Sequence, residues 1–415
     1  MAIALLLIIY LIFISLGLPD SMLGSSFPAI AQNLSLDPEM AGYVALVVSF
    51  CTIISSLLSA TLIEKLTTKW VVSISILLTA VALIMISFIT KETASWAFYV
   101  CAIPLGLGAG AIDAALNNYV ALHYKAIHMN WLHCSWGVGA SIGPLIIGSM
   151  IDSSNQSAGW NKGVMTIAIV QFSIAAIVFA TLPLWNKLEL KKTEKEKEED
   201  KEQLEEFKTK DLFKNPIFYL AMTGFFAYCA LETMTGLWTG SFFCYAKGLS
   251  TSEAATLTSL FYIGITVGRF ICGPLSLRLN EKVMIRIGEG VALVGGILAS
   301  IPVNVWFAIV GLCLVGIGCA PIYPAIIRST PYRFSRAASQ KAMGLEMAIA
   351  YCGNLAIPPL YGLLAKGLGD DYSILPYGIL IVLGIAILCH EIINARLAKR
   401  DKTLTEEEKK KYRAA

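Results

Sequence analysis

Apolar runs long enough to cross about 30 Å of hydrocarbon recur twelve times along the chain, each closed by a short polar turn. Spans 1 to 6 fall at 3–31, 40–62, 70–90, 95–122, 131–154 and 160–184, and spans 7 to 12 at 215–245, 252–276, 283–301, 304–328, 341–367 and 372–396. A hydrophilic interval at 185–214 separates the two sets, and a polar tail at 397–415 follows the last. The pattern predicts an all-α integral membrane protein: twelve transmembrane helices in two six-helix bundles, 1–184 and 215–396, joined by a charged linker. The run from Met1 to Gly17 lacks a basic n-region and a cleavage site, so it is taken as the start of span 1 and not as a signal peptide.

Composition agrees. The 415 residues are 56% hydrophobic and 15% charged, where a soluble chain carries about 25% charge. A net charge of +3 with no basic-aromatic patch gives nucleic acid nothing to bind. The ten cysteines are scattered through apolar runs without paired spacing, so neither disulfides nor a metal is expected. No hydrolase, metallopeptidase or nucleotide-binding motif is present, so the chain reads as neither an enzyme nor a cofactor protein.

Basic residues set the orientation. With Met1 inside, Lys65, Lys69, Lys125, Arg278, Lys282, Arg328, Arg333, Arg336 and Lys341 fall on cytoplasmic turns, against Lys91, Lys162, Lys247 and Lys366 outside. The positive-inside rule then puts both termini in the cytoplasm, at the plasma membrane. The interval between the halves mixes lysines and acids at i, i+4 spacing, as a solvated tether would. The halves also look duplicated. Asp20 and Glu232, Lys69 and Lys282, Gly106 and Gly316, and Gly139 and Gly353 recur at a nearly constant offset of 210 to 214 residues.

The stretch Leu105–Asn118, LGLGAGAIDAALNN, lies inside span 4, and on a helix Gly106, Gly110, Asp113 and Asn117 share one face. Glycine there lets another helix approach closely. An acid at membrane depth costs about 2.5–3.5 kcal/mol on insertion scales, so it normally faces a cavity or partner and marks a proton or substrate path. Span 1 is expected to break at Gly17–Asp20, because Pro19 cannot continue the hydrogen-bond ladder. That places Asp20 beside a cavity, with capping of the next helix as the alternative role.

The twelve spans, the two similar halves and the turn Ala60–Lys69 together resemble the major facilitator superfamily, whose signature turn is G-x-x-x-D-R-x-G-R-R/K. Here Ala60, Glu64, Lys65 and Thr67 replace the Gly, Asp, Arg and second Gly. GLGAGAIDAALNNYV followed by NWLHCSWGVGASIGPLI resembles spans 4 and 5 of the fucose/glucose/galactose:proton symporter family, which includes the fucose permeases. Further matches are GLPDSMLGSSFP in span 1, YCALETMTGLW in span 7, YIGITVGRFICGPL in span 8 and GIGCAPIYPAI in span 10. The span 4 acid of the fucose permeases is typically Glu; here it is the shorter Asp113.

The resemblance implies alternating access with a sugar-like substrate, protons as coupling ion and the bilayer as solvent, in a chain expected to act as a monomer. Asp113 and then Asp20 are the expected proton-coupling acids, since burial disfavours a charged carboxylate and lets it take up and release a proton near neutral pH. Asn117, Asn130, His133, Trp136, Glu232, Trp238 and Asn354 are expected to bind substrate: acids and amides for hydroxyls, aromatic faces for C–H surfaces. Trp238 is placed beside Glu232 on one side of span 7. Glu64, Lys65, Lys69 and Arg278 are expected to close a cytoplasmic gate, and Arg269 to pair structurally near the turn between spans 8 and 9. The competing reading is a drug or metabolite antiporter of the same superfamily, since three central acids also suit a cation.

Overall fold

The computed structural model describes residues 2–124, 126–155, 157–186, 209–334 and 336–404. Span 1 is two helices, Ala2–Asp20 and Met22–Leu34, and spans 2 and 3 form one run, Met40–Ser87. Ala94–His123, Ala126–Met150 and Trp160–Ala180 complete the first half. In the second half, Pro216–Ser241 ends in a π turn at Phe242–Ala246. Thr251–Leu275 and Glu281–Ser300 follow it. Span 10 is split into Val305–Cys319 and Ile322–Phe334 ahead of Arg336–Gly367 and Leu375–Thr403. Among the described residues the only β pairing is an isolated bridge between Asp152 and Ala158. Of the linker, 187–208 lies outside the described residues, bracketed by the short helices Leu182–Asn186 and Thr209–Leu212.

Three boundaries differ from the sequence expectation. The turn between spans 2 and 3 is not a loop: helix runs through it, interrupted only at Thr67, whose φ of 66° and ψ of 155° lie in a region few non-glycine residues occupy. Span 12 extends to Thr403, because the charges that mark its exit are themselves good helix formers. The break in span 1 falls at Ser21 rather than across Gly17–Asp20, since proline removes one hydrogen bond without ending the helix.

Among the described residues, eleven helical spans are long and apolar enough to cross a membrane. The helix outside that set is span 5, whose 25 residues carry Asn130, His133, Ser135 and Ser141. At 1.5 Å per residue it still reaches about 37 Å, and it is flanked by span 1 and span 8, as its glycines show. Gly139 meets the Ile14 carbonyl, where a Cβ would come within 2.0 Å, and Gly137 meets the Thr266 side chain.

The duplication is visible in such close approaches. Ile14 against Gly139 (spans 1 and 5) recurs as Phe226 against Gly353 (spans 7 and 11). Val48 against Gly106 (spans 2 and 4) recurs as Phe261 against Gly316 (spans 8 and 10), and Ser75 against Gly108 as Gly288 against Gly318. Each pair sets one backbone against another, with the Thr79 methyl also against Gly108.

Twelve crossings leave Ala2 and Thr403 on one side, called here the terminal side; the other is the distal side. One apolar core takes in both halves, from Phe27 and Val44 to Trp238 and Tyr361. Two smaller cores, each confined to one half, lie nearer the chain ends: one around Leu5, Ile76 and Leu116, the other around Ile217, Phe334 and Leu397. The apolar core that joins the halves thus includes their distal side, and spans 5 and 8 keep the halves in contact towards the terminal side, where the Trp131 and Phe270 rings lie 5.5 Å apart.

Candidate functional site

A cavity of about 340 Å³ lies between the halves, lined from both. Asp20, Asp113, His133, Trp136, Glu232, Arg269 and Asn354 all face it. Asp20 ends the first helix of span 1 and does not cap the second, whose N-cap Ser21 makes no side-chain cap bond. Instead the Trp136 indole N–H donates to its carboxylate at 2.7 Å. The close seam at Gly17, where a Cβ would come within 2.1 Å of the Trp136 carbonyl, brings these two residues together.

Asp113 accepts from the Asn117 amide at 2.8 Å, one helical turn on. Tyr351 of span 11 faces the same carboxylate and Ser56 from the other half. Gly110 lies against the Thr52 carbonyl, and Ser56 donates to the Gly110 carbonyl at 3.1 Å, so span 2 buttresses the Asp113 helix.

Opposite, Arg269 lies 3.7 Å from Glu232, donates to the His133 carbonyl at 3.2 Å and sits 5.0 Å from the centre of the Trp136 ring. Tyr228 is within hydrogen-bond reach of both the Glu232 carboxylate and the Cys319 carbonyl, and its single proton can serve one at a time. Thr233 donates to Asn354 at 2.8 Å. Asp20, Trp136, Arg269 and Glu232 thus form a continuous polar chain from one half to the other. His133, Arg269 and Tyr323 also border a smaller cavity with Asn130, Glu281 and Arg328, extending the polar path towards the terminal side.

Several residues stand elsewhere than the sequence placed them. Trp238 is fully buried, donates to the Pro358 carbonyl at 2.9 Å and packs on Tyr361 and Tyr372. Six residues at 100° each carry it about 120° around the helix from Glu232, off the cavity face. Asn117 stands behind Asp113, and Asn130 borders only the smaller cavity. Arg269 pairs inside the central cavity and not at the turn between spans 8 and 9.

Glu64, Lys65 and Arg278 are exposed, and no ion pair joins them to the opposite half among the described residues. Lys69 continues the helix of span 3, its carbonyl accepting from Ser73 at 2.7 Å. Among the described residues, a cross-half ion pair lies at the distal end, where Lys366 meets Glu39 and, at 3.3 Å, Asp37. Also towards the distal side, Ser157 donates to Gln32 at 2.8 Å and lies 2.9 Å from the Thr251 hydroxyl.

Sequence reasoning missed the tyrosines of the site, Tyr228, Tyr262, Tyr323 and Tyr351; only Tyr228, one turn before Glu232, carried a usable signal. It also assigned Arg333 to a turn. Arg333 is buried 3.7 Å from Glu346, which accepts from Thr330 at 2.6 Å, while His390 and Glu289 make a second buried pair at 2.6 Å. Both pairs lie within the second half, away from the cavity.

A family model described as Major Facilitator Superfamily matches residues 9–250 and 240–413. The chain belongs to the major facilitator superfamily. Among its relatives within the superfamily is Bypass of stop codon protein 6 of Saccharomyces cerevisiae, 25% identical over 389 residues, covering 87% of this chain and 77% of that protein. A crystal structure of a D-xylose–proton symporter superposes with a TM-score of 0.72 at 12% identity, covering 94% of this chain and 97% of that one. The superfamily transporter FucP, in an outward conformation, superposes at 0.63 with 14% identity over 94% and 98% of the two chains. At such identities the superpositions speak for the fold. This major facilitator is a multi-pass membrane transporter.

Proposed function

We propose that the protein is a proton-coupled symporter for a sugar-like solute, working by rocking of 1–196 against 197–415 about the central cavity. The observation that carries this reading is the cross-half chain Asp20–Trp136–Arg269–Glu232 beside Asp113. It combines carboxylates and amides for hydroxyl groups with an indole face for C–H surfaces. Among the described residues it also leaves Asp113 with no basic partner in hydrogen-bond contact, held instead by Asn117 and Tyr351. A carboxyl supported by neutral groups can lose or gain its proton without leaving an opposite charge stranded, which suits a coupling acid. Glu232, paired with Arg269, suits substrate contact better.

In this reading the terminal side is cytoplasmic, the protein lies in the plasma membrane as a monomer, and the fused distal side is the closed outer gate. Protonation of Asp113 from outside precedes substrate loading, and release to the cytoplasm follows it. Arg269 and Trp136 hold the two halves in register around the solute. Substrate-stimulated proton uptake in liposomes, with a panel of hexoses, tests the assignment; hexose uptake without proton movement would reject coupling.

The drug or metabolite antiporter keeps one observation in its favour, the extensive apolar lining of the cavity on the distal side. Competition of hexoses against lipophilic cations for binding separates the two.

A further inference from the structure

The cavity is segregated by polarity. Its charged lining, Asp20, Asp113, His133, Glu232 and Arg269, lies at mid-depth and towards the terminal side. The distal part is bounded by Met22, Val44, Val48, Ile86, Phe98 and Leu105, all from the first half and without an ionisable group. Phe98 and Met22 are each 1% exposed, so this part of the cavity has no opening to bulk solvent past them. A small neutral sugar needs the polar part alone. Water gains little in an apolar chamber, and an empty one destabilises the fold. An apolar group entering it makes contacts that its dry walls otherwise lack.

We propose that the substrate is amphipathic: a glycoside or similar polyol conjugate, whose polar head lies against Asp20, Trp136, Glu232 and Asn354 while an aryl or short alkyl substituent fills the chamber. This rests on the sugar-transport reading above and narrows it to a substrate class. The geometry also fixes the order of loading in this conformation. The distal side is closed by Lys366 with Glu39 and by Ser157 with Gln32, so the apolar group enters from the terminal side ahead of the head.

Calorimetric binding in lipid nanodiscs, where no alkyl glycoside detergent competes, compares free hexoses with their methyl, butyl and phenyl glycosides. Affinity is expected to rise at least tenfold from the free sugar to the butyl or phenyl glycoside, with the methyl glycoside between. Ala102→Phe, which adds bulk at a chamber wall, is expected to bring the glycosides down to the affinity of the free sugar. Hexose binding with no gain along the series would overturn the amphipathic assignment and leave the sugar reading standing. Binding of neither sugars nor glycosides would overturn both. The unaltered protein alone decides between these outcomes, so a misfolded Ala102→Phe does not obscure them.

Discussion

Asp113 and Thr67 carry the sharpest consequences at the level of single residues. Asn is close to Asp in size and keeps a hydrogen bond to Asn117, so Asp113→Asn should preserve the cavity while removing the titrating group. Exchange of substrate across liposome membranes is expected to persist, with proton-driven accumulation lost and the pH dependence flattened. Full accumulation by the variant would remove Asp113 from the coupling step and shift it to Asp20. Thr67 holds a φ of 66° and a ψ of 155°, and among the described residues its buried hydroxyl has no hydrogen-bond partner. Such backbone strain costs about 1–3 kcal/mol. Thr67→Gly should therefore raise the melting temperature, and an unchanged or lower value would show that the helix junction is not strained. The resemblance already marked this position as one where the family carries glycine, yet nothing in the apolar pattern foretold the torsion. Legibility followed rarity: Asp20, Asp113 and Glu232 stood out because acids are costly at membrane depth. Tyr262, Tyr323 and Tyr351 passed unnoticed because tyrosine is ordinary in such runs, and Trp238 was misplaced by its rotation about the helix.

For whole helices, hydropathy located the crossings well and their ends less so, because charged residues mark where lipid stops and not where helix stops. Span 5 is the instructive case, polar enough to fall outside the apolar set and still essential, since it supplies His133 and Trp136. Its seam against span 1 has no room for a side chain at Gly139, where a Cβ would come within 2.0 Å of the Ile14 carbonyl. Gly139→Val should therefore separate the Trp136–Asp20 pair and abolish substrate binding, with a fall in melting temperature. Retained binding would mean that the pair is not needed. The tether carries the opposite expectation. Deleting 191–206 removes mixed charge with no large apolar anchor, so affinity should stay within tenfold, about 1.4 kcal/mol; a greater loss would count against a passive linker.

Across the whole molecule, the sequence points to the Glu64–Lys69 and Arg278 turns for charges that join the halves, whereas among the described residues an ion pair that joins them stands at the far end, at Lys366. Basic turns follow topology, and topology does not say which gate a given conformation closes. Lys366→Gln should favour opening on the distal side, read as faster labelling of a Ser157→Cys reporter by an impermeant maleimide. Equal labelling rates would show that the ion pair does not hold this side closed. The backbone seams have a further consequence for what a ligand can drive. Spans 1 and 5 are locked together at Ile14 and Gly139, and spans 7 and 11 at Phe226 and Gly353. Asp20 with Trp136 forms one rigid jaw, and Glu232 with Asn354 the other, so rocking changes the gap between jaws and leaves each jaw's own shape intact. A fragment that touches a single jaw binds both conformations equally well, and a ligand with equal affinity for two states shifts neither. Only a molecule long enough to bridge the gap can bias the rocking; shorter ones ride on the motion without driving it.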